Sequence, residues 1–226
     1  MKVMEQPVLI PMAGEQLVGV ISRPCSADVR ALGVVIVVGG PQYRAGSHRM
    51  FVKLARSLAE DGYRVLRFDV RGMGDSSGEN RGFESQAPDL GAAIDAFSAA
   101  DNGPSSVVLW GLCDGASASL LYLDETDDAR VRGLVLVNPW VRSEVSEART
   151  QVKHYYRDRV LSGDFWAKLF KGGVGWSAFG GALAALRRTR IRQADSAPAY
   201  QERMLRGWER RRPRCLLALS GNDYTA

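Results

Sequence analysis

Residues 106–123 read Ser-Val-Val-Leu-Trp-Gly-Leu-Cys-Asp-Gly-Ala-Ser-Ala-Ser-Leu-Leu-Tyr-Leu, and the change of pattern at Cys113 decides the fold. Val107 to Trp110 is a short apolar run with the length and β-branched content of a buried strand. The small residues and leucines that follow suit a helix pressed against a sheet. Between them, Gly111-Leu112-Cys113-Asp114-Gly115 matches glycine-x-nucleophile-x-glycine, with cysteine where serine is usual. A nucleophile at the tip of such a turn takes a strained backbone conformation, and glycines two residues away on each side leave room for it. The helix N-terminus beyond supplies N–H groups and a positive dipole end that favour a thiolate and an oxyanion. An inert, packed cysteine is the competing reading, because buried cysteines are common and a five-residue pattern recurs by chance. The rest of the chain decides between them.

Upstream, Val8–Pro11 and Gln16–Ile21 read as strands joined by a turn at Ala13-Gly14-Glu15, a leading hairpin. Leu32–Val38 is a continuous apolar run, as expected of a central strand covered on both faces, and it ends in Gly39-Gly40-Pro41-Gln42-Tyr43-Arg44. Ser47 can cap a helix whose apolar positions are Phe51, Leu54, Ala55 and Leu58. Val65–Val70 is another strand, followed by the glycine-rich turn Arg71-Gly72-Met73-Gly74-Asp75-Ser76-Ser77-Gly78. A helix with Leu90, Ala93, Ile94 and Phe97 on one face starts near Pro88. Downstream of the elbow, Val131–Val137 gives one more strand. Strands alternating with helices at this spacing predict an α/β fold with a doubly wound, mostly parallel sheet.

After Trp140 the rhythm changes. Helical patterns rich in Arg, Lys, Tyr and Trp run to Arg212, broken by a glycine-rich stretch at 172–181, and strand character returns at Cys215–Leu219. The predicted organisation is a core over 1–140, a basic helical cap insertion over 141–212, and a return to the core over 213–226 with the C-terminal end of the domain missing. Residues 141–214 carry 17 Lys and Arg against 7 Asp and Glu, whereas the remainder has 13 against 18. The net charge of +5 therefore hides one basic region. A solvated face is the ordinary account of such a region. An anionic substrate or a peripheral membrane contact would also suit it, because Tyr155, Tyr156, Phe165, Trp166, Phe170 and Trp176 interleave with the cations. No nucleic-acid motif accompanies them.

The 226 residues are enough for one domain with a sizeable core, and 46% hydrophobic with 24% charged residues is ordinary for a soluble protein. No run reaches transmembrane length and the first residues lack the apolar core of a signal peptide. With three cysteines at no regular spacing, the expected address is a reducing, cytoplasmic one. Neither the cysteines nor the carboxylates have metal-ligand spacing, so no metal and no cofactor is expected. Gly72, Gly74 and Gly78 fit neither a Walker loop nor a dinucleotide fingerprint. They read as a structural turn served by Asp69 and tied down locally by Arg71 and Asp75. Asp89, Asp95 and Asp101 read as solvated helix charges, Cys25 as a loop residue, and Cys215 as the start of a buried strand.

Four landmarks fall in one order: Gly39-Gly40 after an early strand, Asp69-Val70-Arg71-Gly72-Met73-Gly74-Asp75-Ser76, the elbow, and Ser220-Gly221-Asn222-Asp223. That order resembles the α/β-hydrolase superfamily over nearly the whole chain. The phrases Gly-Gly-Pro-Gln-Tyr-Arg and Gly-Leu-Cys-Asp further resemble the exosortase A system-associated hydrolases of the first type, bacterial proteins encoded near exosortase and exopolysaccharide genes. The resemblance implies a hydrolase acting on an ester, thioester or lactone, with Cys113 as nucleophile and Asp223 as the acid of the triad. It places the oxyanion at the N–H of Asp114 and at a second donor from the Gly39–Tyr43 loop. Pro41 has no N–H, leaving Gln42 or Gly40, with Gln42 favoured. A histidine should follow the acid; the chain ends three residues after Asp223 and holds only His48, read as a loop residue, and His154, in the insertion. The triad histidine is therefore expected outside this sequence. An acyltransferase, a non-catalytic binding module and a redox-sensing cysteine are the alternatives.

Overall fold

The computed structural model describes residues 3–25, 28–141 and 199–221. Ala13 and Gly14 both take positive φ (48° and 87°), the tight hairpin turn that joins β1 (Val3–Met12) to β2 (Glu15–Pro24) with Met12 opposite Glu15. The chain continues through β3 (Leu32–Val37), α1 (Met50–Glu60), β4 (Arg64–Phe68), α2 (Ala87–Ala99), β5 (Ser106–Leu112), α3 (Asp114–Glu125) and β6 (Val131–Val137). It resumes with α4 (Tyr200–Arg211) and β7 (Arg214–Ala218). The seven strands form one sheet in the order β1-β2-β4-β3-β5-β6-β7. β1 pairs with β2 and β2 with β4 antiparallel, while all other pairs are parallel. This is the predicted doubly wound, mostly parallel sheet.

Side-chain alternation sends the residues of the central strands to two cores. Val35, Val37, Leu66, Phe68, Leu109, Leu134 and Leu136 face α2 and α3, meeting Leu90, Ile94, Phe97 and Leu121. Val34, Ile36, Val38 and Val65 face Phe51 and Ala55 of α1, where Trp110 meets the Phe51 ring edge-on at 5.8 Å. Ser47 makes no side-chain cap; α1 is entered through a short 3₁₀ turn at Ser47–Arg49 instead.

Two expectations change. β7 is not a buried strand, since Leu216, Leu217 and Leu219 are exposed among the described residues and Cys215 is half-buried, with burial pushing its thiol pKa up. Tyr200–Arg211, the end of the expected 141–212 insertion, lies on the core: Arg206 grips Asp124 through two hydrogen bonds of 3.0 and 2.9 Å, and Arg203 pairs with Asp124 and Glu125. Gly207 allows that approach, because a Cβ there would stand 2.2 Å from the Leu120 carbonyl oxygen. The rest of the expected insertion, 142–198, lies outside the described residues.

Candidate functional site

In a parallel sheet all strands end at one edge, and the loops that follow them gather there. Cys113 sits at that edge, between β5 and α3, with φ 52° and ψ −119°. A β-carbon makes this conformation costly, on the order of 1–3 kcal/mol, so the surroundings must impose it. They do so from three sides. The Cys113 N–H donates to the Val137 carbonyl at 2.8 Å, extending the β5–β6 ladder by one bond. Its own carbonyl accepts from Ala116 at 3.0 Å and Ser117 at 3.2 Å, which starts α3, and from Trp140 at 3.4 Å. The Ser117 hydroxyl then fixes the 138–140 loop by donating to the Trp140 carbonyl at 2.7 Å.

The glycines explain how the turn can be so tight. A Cβ on Gly111 would stand 2.5 Å from the Ala116 nitrogen, and one on Gly115 would stand 2.2 Å from the Val37 carbonyl oxygen. Gly39, the second residue after β3, is buried, and a Cβ there would lie 2.1 Å from the Leu112 carbonyl oxygen and 2.8 Å from the Asp114 nitrogen. The 39–44 loop is therefore seated directly on the elbow, beside the backbone N–H of Asp114. Gly40 has open space around it and is required by its φ of 63°.

The sequence-derived residues are thus partly assembled. Cys113 is half-buried and its thiol donates to Asp114 Oδ1 at 3.7 Å. Asp114 begins α3, and Gly39, Gly111 and Gly115 pack around both. The Gln42 N–H closes a small turn on the Gly40 carbonyl at 2.8 Å, and its side-chain oxygen accepts from the Ser47 N–H at 3.5 Å. Asp223 and His154 lie outside the described residues. The chain leading to Asp223 is tethered to the site's edge: the Ser220 N–H donates to Asn138 Oδ1 at 2.7 Å, and the Asn138 N–H to the Ala218 carbonyl at 2.9 Å. His48 is exposed, in a left-handed conformation on the turn before α1.

Charge at this edge is organised differently from expectation. Asp89 is no solvated helix charge: it is 1% exposed and accepts from Arg71 Nε at 2.7 Å and the Arg71 N–H at 2.9 Å. Burial raises its pKa despite the guanidinium beside it. Asp69, also 1% exposed, holds Arg44 by both backbone and guanidinium, and Arg44 reaches on to Asp75 at 2.5 Å. Arg71 and Asp75 do tie the turn, but to α2 and to the 39–44 loop rather than within it. Arg44 was missed as a site residue. Its signal was a buried acid after β4 that needed a cation. Asp95 and Asp101 are solvent-exposed as expected, Asp95 pairing with Arg130 at 2.7 Å. Cys25 is exposed.

Among the described residues no group of three or more His, Cys, Asp and Glu could hold a metal ion, and no helix is long and apolar enough to cross a membrane.

Comparison with known proteins agrees with this architecture. The family model described as "alpha/beta hydrolase fold" matches residues 34–171. The chain is 30% identical over 129 residues to the human protein ABHD12B, an alignment covering 55% of this chain and 34% of that protein. It thus spans about a third of the length of this curated relative. Among solved structures it is similar to the esterase Pf2001 of Pyrococcus furiosus, with a TM-score of 0.56 at 19% identity over 76% of this chain and 63% of that one. It is also similar to the α/β hydrolase GrgF of Penicillium sp. sh18, with a TM-score of 0.54 at 23% identity over 71% and 54% of the two chains. With a matched family model over more than half of the chain, a mostly parallel sheet and a strained residue at the β5–α3 turn, the chain belongs to the α/β-hydrolase fold family.

Proposed function

We propose that this protein is an acyl-directed hydrolase whose nucleophile is Cys113. The observation that supports this most is the Cys113 backbone: a non-glycine residue held at φ 52°, ψ −119° between a strand end and a helix start. Packing alone has no use for that strain, whereas a nucleophile presented to a bound carbonyl does.

In the proposed reaction the thiolate attacks the carbonyl carbon of an ester, thioester or lactone. The C=O π pair moves onto oxygen, where the Asp114 N–H and a donor from the 39–44 loop stabilise it. Collapse expels the alcohol or thiol, which takes up the proton that had left Cys113, and leaves an acyl-thioenzyme. The proton carrier implied by the family resemblance is a histidine following the acid and oriented by Asp223. Water then attacks the thioester, releasing the acid and restoring the thiol; an alcohol or amine in place of water makes the same site an acyltransferase. The basic 141–214 stretch suits an anionic acyl donor or a membrane-borne one, with no nucleic acid involved. The motifs shared with the exosortase A system-associated hydrolases point to a substrate in bacterial exopolysaccharide assembly, handled in the cytoplasm.

The test is p-nitrophenol release from p-nitrophenyl acetate and longer acyl esters. A burst equal to the protein present and absent in Cys113→Ala is expected, with turnover once the histidine that follows the acid is present. Release that is identical in both proteins would sink the proposal and favour a binding module.

A further inference from the structure

The site described above accounts for the elbow but not for a second, buried polar assembly one loop away. Asp69 lies at the end of β4 with its side chain fully out of solvent. One carboxylate oxygen accepts the Arg44 N–H at 2.6 Å. The other accepts the Arg44 guanidinium and, at 3.1 Å, the Asp75 N–H. The Asp69 backbone is fixed as well, its N–H donating to the Val18 carbonyl at 2.9 Å and its carbonyl accepting from the Ser76 hydroxyl at 2.7 Å. Gly74 presses on the same carboxylate so closely that a Cβ would stand 2.3 Å from Oδ2. A buried carboxylate saturated in this way is rigid, and removing its cation would leave it uncompensated.

What Asp69 holds is the far end of the loop whose near end sits on the elbow. Gly39 is wedged against Leu112, Asp114 and Gly115, and Arg44 is clamped to Asp69 and Asp75. Only residues 40–43 lie between the two anchors, and they already contain an internal bond from the Gln42 N–H to the Gly40 carbonyl. A backbone N–H in that span can serve a transition state only if its position is set beforehand, since a displacement of about 1 Å is worth on the order of a hundredfold in rate. We propose that Arg44 and Asp69 are positioning residues for acyl transfer, holding the 39–44 loop so that one of its N–H groups completes the oxyanion site with Asp114. The proposal rests on the acyl-transfer reading of Cys113.

Two reactions of one thiol separate positioning from structural support. Acylation of Cys113 by p-nitrophenyl acetate builds an oxyanion; alkylation by iodoacetamide does not. Both second-order rates are measured on the wild type, Arg44→Ala, Arg44→Lys and the double variant Arg44→Ala/Asp69→Asn, the last leaving no carboxylate buried alone. The expected result is acylation slowed about a hundredfold in Arg44→Ala and in the double variant, with alkylation within about twofold of wild type. Arg44→Lys keeps the charge and the backbone bond and recovers part of the acylation rate. Unchanged acylation in the double variant would overturn the proposal, and so would acylation and alkylation falling together, which marks general damage to the elbow. A wild-type thiol that alkylates but never acylates would instead refute the acyl-transfer reading itself.

Discussion

Replacing Gly115 by alanine sets two opposed effects against each other at a single helical position. Helix propensity favours the substitution by about 1 kcal/mol, because glycine is the costlier residue inside a helix. Sterics oppose it. The added Cβ would stand 2.2 Å from the Val37 carbonyl oxygen and 2.9 Å from its carbon, both backbone atoms of a central strand that cannot swing aside. Ordinary contact begins near 3.4 Å, so α3 and β3 would have to separate by about 1 Å. Overpacking of this kind costs about 1–3 kcal/mol and occasionally more, and rigid backbone places this case at the upper end. The net expectation is a loss of about 2 kcal/mol, or about 4–8 °C in melting temperature for a chain of this size. Gly91 supplies the control. It lies within α2, where an added Cβ meets only Tyr122, a ring carbon at 3.8 Å and the hydroxyl oxygen at 3.9 Å, so Gly91→Ala gains the propensity term and should raise stability by about 1 kcal/mol. Urea unfolding of the two variants beside the wild type measures both. Gly115→Ala as stable as Gly91→Ala would refute the claim that close backbone approach dictates the elbow glycine.

Asp128 predicts an acid-labile contribution to stability. Burial alone would raise its pKa, but hydrogen bonds from Arg130 and Tyr122 outweigh it and hold the carboxyl at about 2 against an ordinary 3.8. The folded value lies below the unfolded one, so this stability is full above about pH 4 and disappears as pH falls towards 2. It amounts to about 1–2 kcal/mol once solvent screening is allowed for, and Asp128→Asn should flatten that part of the stability–pH curve. Arg71→Ala should cost about 2–3 kcal/mol at pH 7 by stranding the buried Asp89 carboxylate. Burial already raises the Asp89 pKa, and protonation removes the stranded charge, so the deficit of the variant relative to wild type must shrink as pH falls. A deficit that is constant between pH 7 and pH 4 would contradict it.

The sheet was legible because its signals are local. The apolar run at 32–38 and the mostly apolar 131–137, interrupted by Arg132, have strand length and β-branched content, and glycines flanking Cys113 announce a tight turn before any contact is known. Long-range partnership was not legible. Asp69 follows a strand and Asp89 lies in a helix, and nothing local says that one is clamped by Arg44, 25 residues earlier, and the other by Arg71, 18 residues earlier. Nor does the pattern of 200–211 say that the helix docks on α3. Its arginines read as part of a basic run, yet Arg203 and Arg206 are committed to Asp124. The acid of the triad was inferred from the order of motifs, and Asp223 lies outside the described residues.

The central claim is that Cys113 is a nucleophile toward carbonyl carbon, and intact mass spectrometry after brief exposure to a p-nitrophenyl acyl ester tests it most directly. One acyl group on the wild type, mapped to the peptide carrying Cys113 and absent from Cys113→Ala, is the predicted result. No adduct at Cys113, under conditions where iodoacetamide still labels it, would contradict the claim and leave the strained turn without a chemical purpose.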